Sequence, residues 1–281
     1  MKNTITRSIG IYLNTLSAIA PRKAGRASFN IFCHPFRAKL SDKQRDFLQS
    51  AKQPDLIHRE ETVKTYRWGK GKKNILLLHG WQGHSYRWRK FIEAFDPELF
   101  SLHAFDAPGH GLSSGKFLNV PLYSEVIQNM IGRIGKVDTI ITHSLGGFSA
   151  LYTFHHKPEL QPEKMIMLAP PGEAREFFEF FQRALKLSDQ TITATEKRFR
   201  ELFHEGPEYF SAPRFAKSMT VPGMLIHDED DEETHADNSR RIHEQWKGSE
   251  LHITKGLGHN LRSPEIVKLV VDFATVPQLP L

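Results

Sequence analysis

The sequence of 281 residues is poor in cysteine, and Cys33 is its only one. An intrachain disulfide is therefore excluded, and a reducing, cytoplasmic location is favoured over export. No apolar run approaches the roughly 20 residues that a membrane-spanning helix needs. The chain also lacks an HExxH motif, a P-loop lysine and a GxGxxG motif, which are typical of zinc, phosphate and dinucleotide sites. These absences predict a protein without a metal or another cofactor.

Acidic residues are scarce at the start of the chain. Residues 1–50 hold nine lysines or arginines against two aspartates, so their charge of +7 exceeds the net charge of +6 of the whole chain. A nucleic-acid-binding domain usually has its basic residues on one folded face, and the rest of this chain has no such pattern. A nucleic-acid partner is therefore not predicted.

The basic segment has the pattern of an amphipathic helix. Its apolar residues recur at helical spacing: Ile5, Ile9, Leu13, Leu16 and Ala20. We expect this helix to pack on the body of the protein, with a peripheral membrane-surface contact as the alternative. A cleaved signal peptide is less favoured, because polar residues interrupt the apolar stretch at positions 14, 15 and 17.

Short apolar runs alternate with helical stretches along most of the chain. Strands are predicted at 75–78, 100–105, 137–142, 165–169, 223–227 and 251–254, after a strand-like stretch at 57–68. Helices are predicted between them at 86–95, 122–135, 147–157 and 236–246. Continuous apolar strands that alternate with helices are typical of an α/β fold, in which helices flank a mostly parallel central sheet.

The alternation is interrupted once, by a segment without a convincing strand. The sequence therefore predicts three parts: a basic helical segment at 1–55 packed on the core, an α/β core at 56–172 and 220–281, and a small helical cap at 173–219. The cap is inserted before the strand at 223–227. The oligomeric state is not predicted.

Three polar positions follow predicted strands, at the edge where parallel sheets bind ligands. Ser144 lies just after the strand at 137–142 and precedes Gly146 and Gly147, which permit a sharp turn into a helix. His259 follows the strand at 251–254, and an acidic run follows the strand at 223–227. A serine needs a base and an orienting acid to become a nucleophile, so the three together predict nucleophilic catalysis. The structural alternative is that Ser144 is only a turn residue.

The order of these motifs resembles that of the α/β-hydrolase family. The shared stretches are LLLHGW (76–81), DAPGHGLSSG (106–115), THSLGG (142–147), VPGMLIHDEDD (221–231) and GLGH (256–259). They occur in the family's order of nucleophile, acid and histidine. The resemblance covers about 74–272 and includes no part of the first 55 residues. It implies a serine hydrolase that cleaves an ester-like bond of a small, apolar acyl or aryl substrate without a cofactor.

The resemblance also implies which residues form the catalytic triad. Ser144 would be the nucleophile and His259 the general base and then acid. The family's acid loop usually reads Gly-x-x-Asp after the strand, and Asp228 stands where that glycine would be. The acid is therefore expected at Asp231, with Asp230 as the alternative. By the same resemblance, the DAPGHG loop is a structural turn rather than a source of acid and base.

The oxyanion hole and the pocket are also carried over by resemblance. The backbone N–H groups of Trp81 and Leu145 would hold the developing oxyanion. The candidate pocket residues are His79, Gly80, His143, Phe177, Phe178 and Phe181. The phenylalanines could equally form the core of the cap, since aromatic residues at helical spacing must bury one face in any case.

Two other interpretations stay open at this stage. The same triad serves thioesterases, amidases, peptidases and hydrolases of carbon–carbon bonds, and the fold does not separate these activities. A non-catalytic ligand-binding member of the fold is the other alternative. Thr142, where the common elbow has glycine, and the crowded acidic run favour that alternative.

Overall fold

The computed structural model describes residues 2–52 and 54–276. The chain divides into two compact units. The helical unit consists of the residues up to His34 together with Glu173–Ser211, and the sheet unit of Pro35–Gly172 together with the residues from Ala212 onward. Each unit therefore contains two separate segments of the chain.

All described strands lie in the sheet unit. They are β1 (Asp55–His58), β2 (Glu61–Gly69), β3 (Lys73–Leu78), β4 (Phe100–Phe105), β5 (Thr139–His143), β6 (Lys164–Leu168), β7 (Gly223–Asp228) and β8 (Ser249–Thr254). Within the described chain they form one eight-stranded sheet in the order β1-β2-β4-β3-β5-β6-β7-β8. The β1/β2 and β2/β4 pairs are antiparallel, and the remaining pairs are parallel.

The helices occur in both units. They are α1 (Lys2–Ile19), α2 (Pro21–Phe32), α3 (Asp42–Gln49), α4 (Arg89–Ala94), α5 (Val120–Ile134), α6 (Leu145–His156), α7 (Ala174–Leu185), α8 (Asp189–Phe203), α9 (Ala212–Ala216), α10 (Asp237–Gln245) and α11 (Pro264–Thr275). Single 3₁₀ turns cover Ser85–Trp88, Pro158–Leu160 and Pro207–Tyr209. Of these helices, α1, α2, α7 and α8 belong to the helical unit.

The predicted α/β fold is confirmed, and each predicted strand is present within two residues at either end. The strand-like stretch at 57–68 is a hairpin of β1 and β2, because Arg59 adopts a left-handed backbone conformation (φ 54°) and turns the chain. The central strands β3, β5, β6 and β7 have almost no exposed residues. Their continuous apolar sequences are those of strands buried on both faces.

Glycines and aromatic rings hold the helical unit together. A Cβ atom at Gly10 of α1 would lie 1.9 Å from the carbonyl oxygen of Leu185, and one at Gly25 of α2 would lie 2.3 Å from that of Ala194. Only glycine therefore permits these helices to approach α7 and α8 so closely. An aromatic cluster fills the space beside them: Phe29, Phe32, Phe178, Phe181, Phe199, Phe203 and Phe210.

Phe178 and Phe181 thus pack in the core of the helical unit. Phe178 is 2% exposed, and its ring lies 4.6 Å from that of Phe32 and 5.5 Å from that of Phe199. This packing accounts for the burial of Phe178, whereas Phe181 is half-buried. The pocket role of Phe177, Phe178 and Phe181 stays a prediction.

The division into compact units falls after His34, Gly172 and Ser211. The division after Gly172 coincides with the start of the predicted cap at 173, and the other two lie before the predicted limits of 55 and 219. Residues 35–55 belong to the sheet unit, and the first two helices pack with the helices of the predicted cap. That residues 173–219 act as a cap stays a prediction. No described helix is both long and apolar enough to cross a bilayer.

Candidate active site

Ser144 occupies a strained turn between β5 and α6. Its backbone has φ 50° and ψ −124°, a conformation that a residue with a side chain rarely adopts. The Ser144 N–H donates to the carbonyl of Leu168 at 2.9 Å, which fixes the turn to the neighbouring strand β6. The side chain therefore stands at the carboxyl end of the sheet, at the start of a helix.

The glycines after the serine are required by close packing. A Cβ atom at Gly146 would lie 2.5 Å from the carbonyl oxygen of Leu78, and one at Gly147 would lie 2.8 Å from Oγ1 of Thr142. Thr142 is tolerated here because Gly147 leaves room for it. In addition, its hydroxyl donates to the carbonyl of Ile166 at 3.1 Å. The unusual threonine is thus accommodated by a glycine five residues later.

The loop after β3 lies against the serine. A Cβ atom at Gly80 would lie 2.8 Å from Cβ of Ser144. Gly80 opens a tight turn in which the Gly83 N–H donates to its carbonyl at 3.1 Å, and Gln82 has a positive φ of 56°. Trp81 follows Gly80 within this turn. On the other side, Leu145 begins α6, where the first N–H groups have no partner within the helix.

The buried side chain of His79 is hydrogen-bonded to the backbone of this loop. Its Nδ1–H donates to the carbonyl of Gly80 at 2.7 Å, and its Nε2 accepts the N–H of Ala107 at 2.9 Å. Burial lowers the pKa of His79 to about 4, although the Gly80 carbonyl acts in the opposite direction. The hydroxyl of Tyr123 donates to the carbonyl of His79 at 2.8 Å. Both ring nitrogens of this predicted pocket residue are therefore engaged by backbone.

Asp106 and His110 are buried in the loop that follows β4. The Asp106 carboxylate accepts from the N–H and the hydroxyl of Ser85, both at 2.7 Å, and from the Tyr66 hydroxyl at 3.0 Å. It also accepts the Leu112 N–H at 2.8 Å. Burial lowers the pKa of His110 to about 3. These contacts join the loops that follow β3 and β4.

The acidic run contains two buried carboxylates with different partners. Asp231 is 3% exposed, and its Oδ2 lies 2.8 Å from Nδ1 of His259. Its Oδ1 accepts the N–H groups of Glu233 and Thr234 at 2.8 and 3.0 Å. Asp230 is exposed, and its N–H donates to Asp228. The geometry therefore pairs His259 with Asp231.

Asp228 shapes the loop that carries His259. Its carboxylate accepts the Thr254 hydroxyl at 2.7 Å and the N–H groups of Leu257 and Gly258 at 3.0 Å each. Burial alone would raise the pKa of Asp228, but these donors hold it below its ordinary value. A carboxylate at the position of the family's glycine thus anchors the histidine loop.

A second histidine contacts the same oxygen of Asp231. His227, fully buried at the end of β7, has its Nε2 3.2 Å from Asp231 Oδ2 and 2.8 Å from the carbonyl of Thr234. Because the Thr234 carbonyl can only accept, Nε2 carries a proton. Nδ1 lies 2.7 Å from the Ser239 hydroxyl. Sequence reasoning missed this residue. The one signal for it was an imidazole inside the otherwise apolar stretch GMLIH.

Asp231 is consequently held as an anion. Burial would raise its pKa, but hydrogen bonds from His227, from His259 and from the Thr234 N–H lower it well below the ordinary value. A buried carboxylate with this many donors fixes the orientation of the His259 ring and its tautomer, with the proton on Nδ1.

His143 connects the serine turn to the histidine loop. Its Nε2–H donates to the carbonyl of His259 at 2.9 Å, and the two rings lie 4.7 Å apart. Burial lowers the pKa of His143 well below its ordinary value. In the described chain, Ser144 and His259 are not hydrogen-bonded to each other, and such contacts often tighten only when substrate binds. The described residues also include no group of three His, Cys, Asp or Glu side chains suited to a metal ion.

Comparisons with known proteins identify relatives of the chain. A pimeloyl-acyl-carrier-protein methyl ester esterase of Vibrio vulnificus is 27% identical over 139 residues, which are 50% of this chain and 51% of that protein. The chain thus spans about half the length of this curated relative.

Solved structures share the fold at low sequence identity. A thioesterase domain from the curacin biosynthetic pathway has a TM-score of 0.60 and 14% identity, over 80% of this chain and 99% of that chain. A monoacylglycerol lipase of Paleococcus ferrophilus has a TM-score of 0.58 and 20% identity, over 75% and 98%. A family model described as alpha/beta hydrolase family matches residues 75–267, more than half of the chain. The chain belongs to the alpha/beta hydrolase family.

Proposed function

We propose that the protein is a serine hydrolase that cleaves an ester-like bond of a small, apolar acyl or aryl substrate. The observation that carries the proposal is the 2.8 Å contact between His259 Nδ1 and the buried Asp231 carboxylate. The loop of His259 contacts His143, the residue that precedes Ser144. An imidazole held in this way has its Nε2 available to accept a proton. The names of the curated relatives support an ester as the substrate class.

In the proposed reaction, Ser144 Oγ attacks the carbonyl carbon of the ester. His259 takes the hydroxyl proton, and Asp231 stabilises the imidazolium that forms. The N–H groups of Trp81 and Leu145 donate to the oxyanion, where each such donor typically contributes about 3 kcal/mol. His259 then returns the proton to the alcohol that leaves. Water, activated by the same histidine, attacks the acyl-enzyme and releases the acid and the free serine.

The strain at Ser144 supports the nucleophile role. A positive φ in a residue with a side chain costs of order 1–3 kcal/mol. It is maintained because β6 and the two glycines over-determine the turn. If residue 144 only formed a turn, glycine would adopt this conformation without strain. Serine retains the strain and supplies a hydroxyl at this position.

The first test is the intact mass of the protein after treatment with a fluorophosphonate. We expect one adduct on the wild type and none on Ser144→Ala. Ser149→Ala is the matched control, because Ser149 lies on α6, the helix that follows Ser144, and its buried hydroxyl has no hydrogen-bond partner among the described residues. That variant should form the adduct normally.

Hydrolysis of matched ester and thioester substrates follows on the same variants. An adduct together with faster ester than thioester cleavage would support the proposal as stated. Preference for the thioester would assign the thioesterase alternative. If folded wild-type protein forms no adduct, the proposal is wrong, and the ligand-binding alternative takes its place.

A further inference from the structure

The solvent-facing side of α1 carries large apolar side chains. Four of them form the group that we call the α1 stripe: Ile5, Ile11, Tyr12 and Ile19, exposed by 59%, 59%, 57% and 78%. Ile5, Tyr12 and Ile19 follow one another at intervals of seven residues, so they lie along one side of the helix. Ile11 is adjacent to Tyr12. The opposite side of α1 is buried through Gly10, Leu13 and Ser17.

The exposed side of α1 is unusually poor in charge. Between the members of the α1 stripe, its exposed positions hold Ser8, Thr15 and Ala18, and Arg7 is the one charged residue exposed among residues 5–19. The solvent face of a helix in a globular protein normally carries several charged residues. An apolar face of this composition is typical of a helix that lies in a membrane interface.

The chain segment that contains the α1 stripe and α2 carries charge of one sign. Residues 1–34 contain five lysines or arginines and no aspartate or glutamate. Three of the basic residues are exposed on α2, which follows α1 after one residue: Arg22, Lys23 and Arg26. Apolar side chains next to basic ones complement an anionic lipid surface, where each Lys or Arg near the headgroups contributes about 1 kcal/mol.

A second copy of the chain is a poorer occupant for the stripe. A symmetric contact between two α1 helices would bring the same basic residues of both copies together. Like charges brought together at an interface oppose association. An anionic membrane instead buries the apolar side chains and neutralises the basic ones at the same time.

We propose that α1 docks on an anionic membrane surface, with the α1 stripe at the boundary between headgroups and acyl chains. The basic residues of α2 then face lipid phosphates. The docking is peripheral, and it does not depend on the proposed hydrolase function.

The test is co-sedimentation with vesicles of phosphatidylcholine alone and of equimolar phosphatidylcholine and phosphatidylglycerol. We expect the wild type to bind the anionic vesicles, and less so as salt is raised. Ile11→Asp/Ile19→Asp should weaken this binding by at least about tenfold, since it places charge in the apolar contact. Lys23→Glu/Arg26→Glu should weaken it by at least about tenfold through lost electrostatic attraction.

Two matched controls separate a local effect from a general one. Ile57→Asp removes an isoleucine that is 64% exposed on β1 of the sheet unit. Lys247→Glu/Lys255→Glu changes the net charge as much as the α2 variant, at exposed positions of the sheet unit. Both controls should bind anionic vesicles like the wild type.

A fluorescent label gives a second measurement that does not depend on a charged variant folding well. Burial raises the pKa of the Cys33 thiol well above its ordinary value, so an added exposed cysteine is labelled selectively. An environment-sensitive dye on Tyr12→Cys should become brighter with anionic vesicles, and the same dye on Ile57→Cys should not.

Several results would overturn the proposal. Equal binding to neutral and anionic vesicles would show that the basic residues do not attract the protein to anionic lipid. If Ile11→Asp/Ile19→Asp binds vesicles like the wild type and the dye at position 12 does not respond, the α1 stripe does not contact the membrane. The wild type could instead self-associate without binding vesicles, and Ile11→Asp/Ile19→Asp could abolish that self-association. This result would assign the α1 stripe to a contact with a second copy of the chain.

Discussion

The two units bury polar groups of different kinds. In the helical unit the buried polar side chains are hydroxyls: Ser17, Ser28, Thr191 and Thr195. They pair across helices, with Thr191 on Ser17 at 2.9 Å and Thr195 on Ser28 at 2.7 Å. In the sheet unit the buried polar side chains include the carboxylates of Asp106, Asp228 and Asp231 and several imidazoles.

The difference separates packing from chemistry. Neutral hydroxyls that bond to each other can be buried at little cost and keep their state over the whole pH range. A buried carboxylate or imidazole needs specific donors or acceptors, and its protonation depends on pH. The proposed base His259 and its orienting acid Asp231 are of the second kind, so the sheet unit should be the part that responds to charge and to pH.

Asp231→Asn should have the largest effect. The amide cannot stabilise the imidazolium of His259 and favours the wrong tautomer of the ring, so kcat should fall by about 10⁴. Steady-state kinetics with a chromogenic ester measures this loss. Asp230→Asn is the matched control, since the neighbouring carboxylate is exposed and should be replaceable without loss. Equal losses in both variants would contradict the assignment of Asp231.

Acid should destabilise the sheet unit next most strongly. The pKa values of His79 and His110 lie at about 4 and about 3 in the fold, below the ordinary value of 6.5. Between the folded and the ordinary pKa values, these histidines bind protons in the unfolded chain but not in the folded one. Their contribution to stability is therefore complete above about pH 6.5 and is lost as the pH falls below it. We expect each histidine to lower the free energy of unfolding by on the order of 1–2 kcal/mol from pH 7 to pH 5.

Urea unfolding followed by tryptophan fluorescence measures this loss. The four tryptophans are at positions 68, 81, 88 and 246, all within the sheet unit. The midpoint should therefore move to lower urea at pH 5 than at pH 7. A midpoint that is independent of pH over this range would mean that these imidazoles are not held neutral by burial.

Gly10→Ala tests the packing of the helical unit. The new methyl group would overlap the Leu185 carbonyl, and overpacking of this kind costs about 1–3 kcal/mol. Gly132→Ala is the matched control, because Gly132 lies inside α5 with nothing within 4 Å of the added Cβ. That change should stabilise its helix by about 0.5–1 kcal/mol. Urea unfolding followed by circular dichroism compares the two, and equal effects would contradict the close approach at Gly10.

His227→Leu should have the smallest effect on catalysis. It removes one donor from the Asp231 carboxylate, and a hydrogen bond to a charged group contributes about 1.5–3 kcal/mol. We expect kcat to fall about tenfold, with KM unchanged. His227→Gln keeps an N–H donor and should restore most of the rate. If glutamine is no better than leucine, His227 acts through packing rather than through Asp231.

The fold and the polar centre of the sheet unit were largely predictable from the sequence. Strand-end positions and glycine spacing identified Ser144 and His259 as candidates. The serine turn needs its glycines for close packing, and Gly256 and Gly258 of the histidine loop have a positive φ. Asp231 was reached through the resemblance of its loop to the family's acid loop. Its neighbour Asp228 was not recognised as an anchor, since the donors that hold it are backbone N–H groups of a loop distant in sequence.

The arrangement of the helical unit was not predictable in the same way. Its packing depends on contacts between α2 and α8, and a single glycine in a helix says nothing of the partner that it approaches. Likewise, the FFEFF stretch at 177–181 has too many aromatic residues for one helix face. Only the positions of Phe32 and Phe199 explain where Phe178 is buried.

The division of the helical unit into two chain segments bears on the order of events during synthesis. Gly25 of α2 packs against Ala194 of α8, which is made 169 residues later. At roughly 5–20 residues per second, α2 leaves the ribosome about ten to thirty seconds before its partner exists. During that interval Phe29 and its neighbours have no permanent cover, so nascent chains of this protein should depend on chaperones more than those of a protein with local contacts.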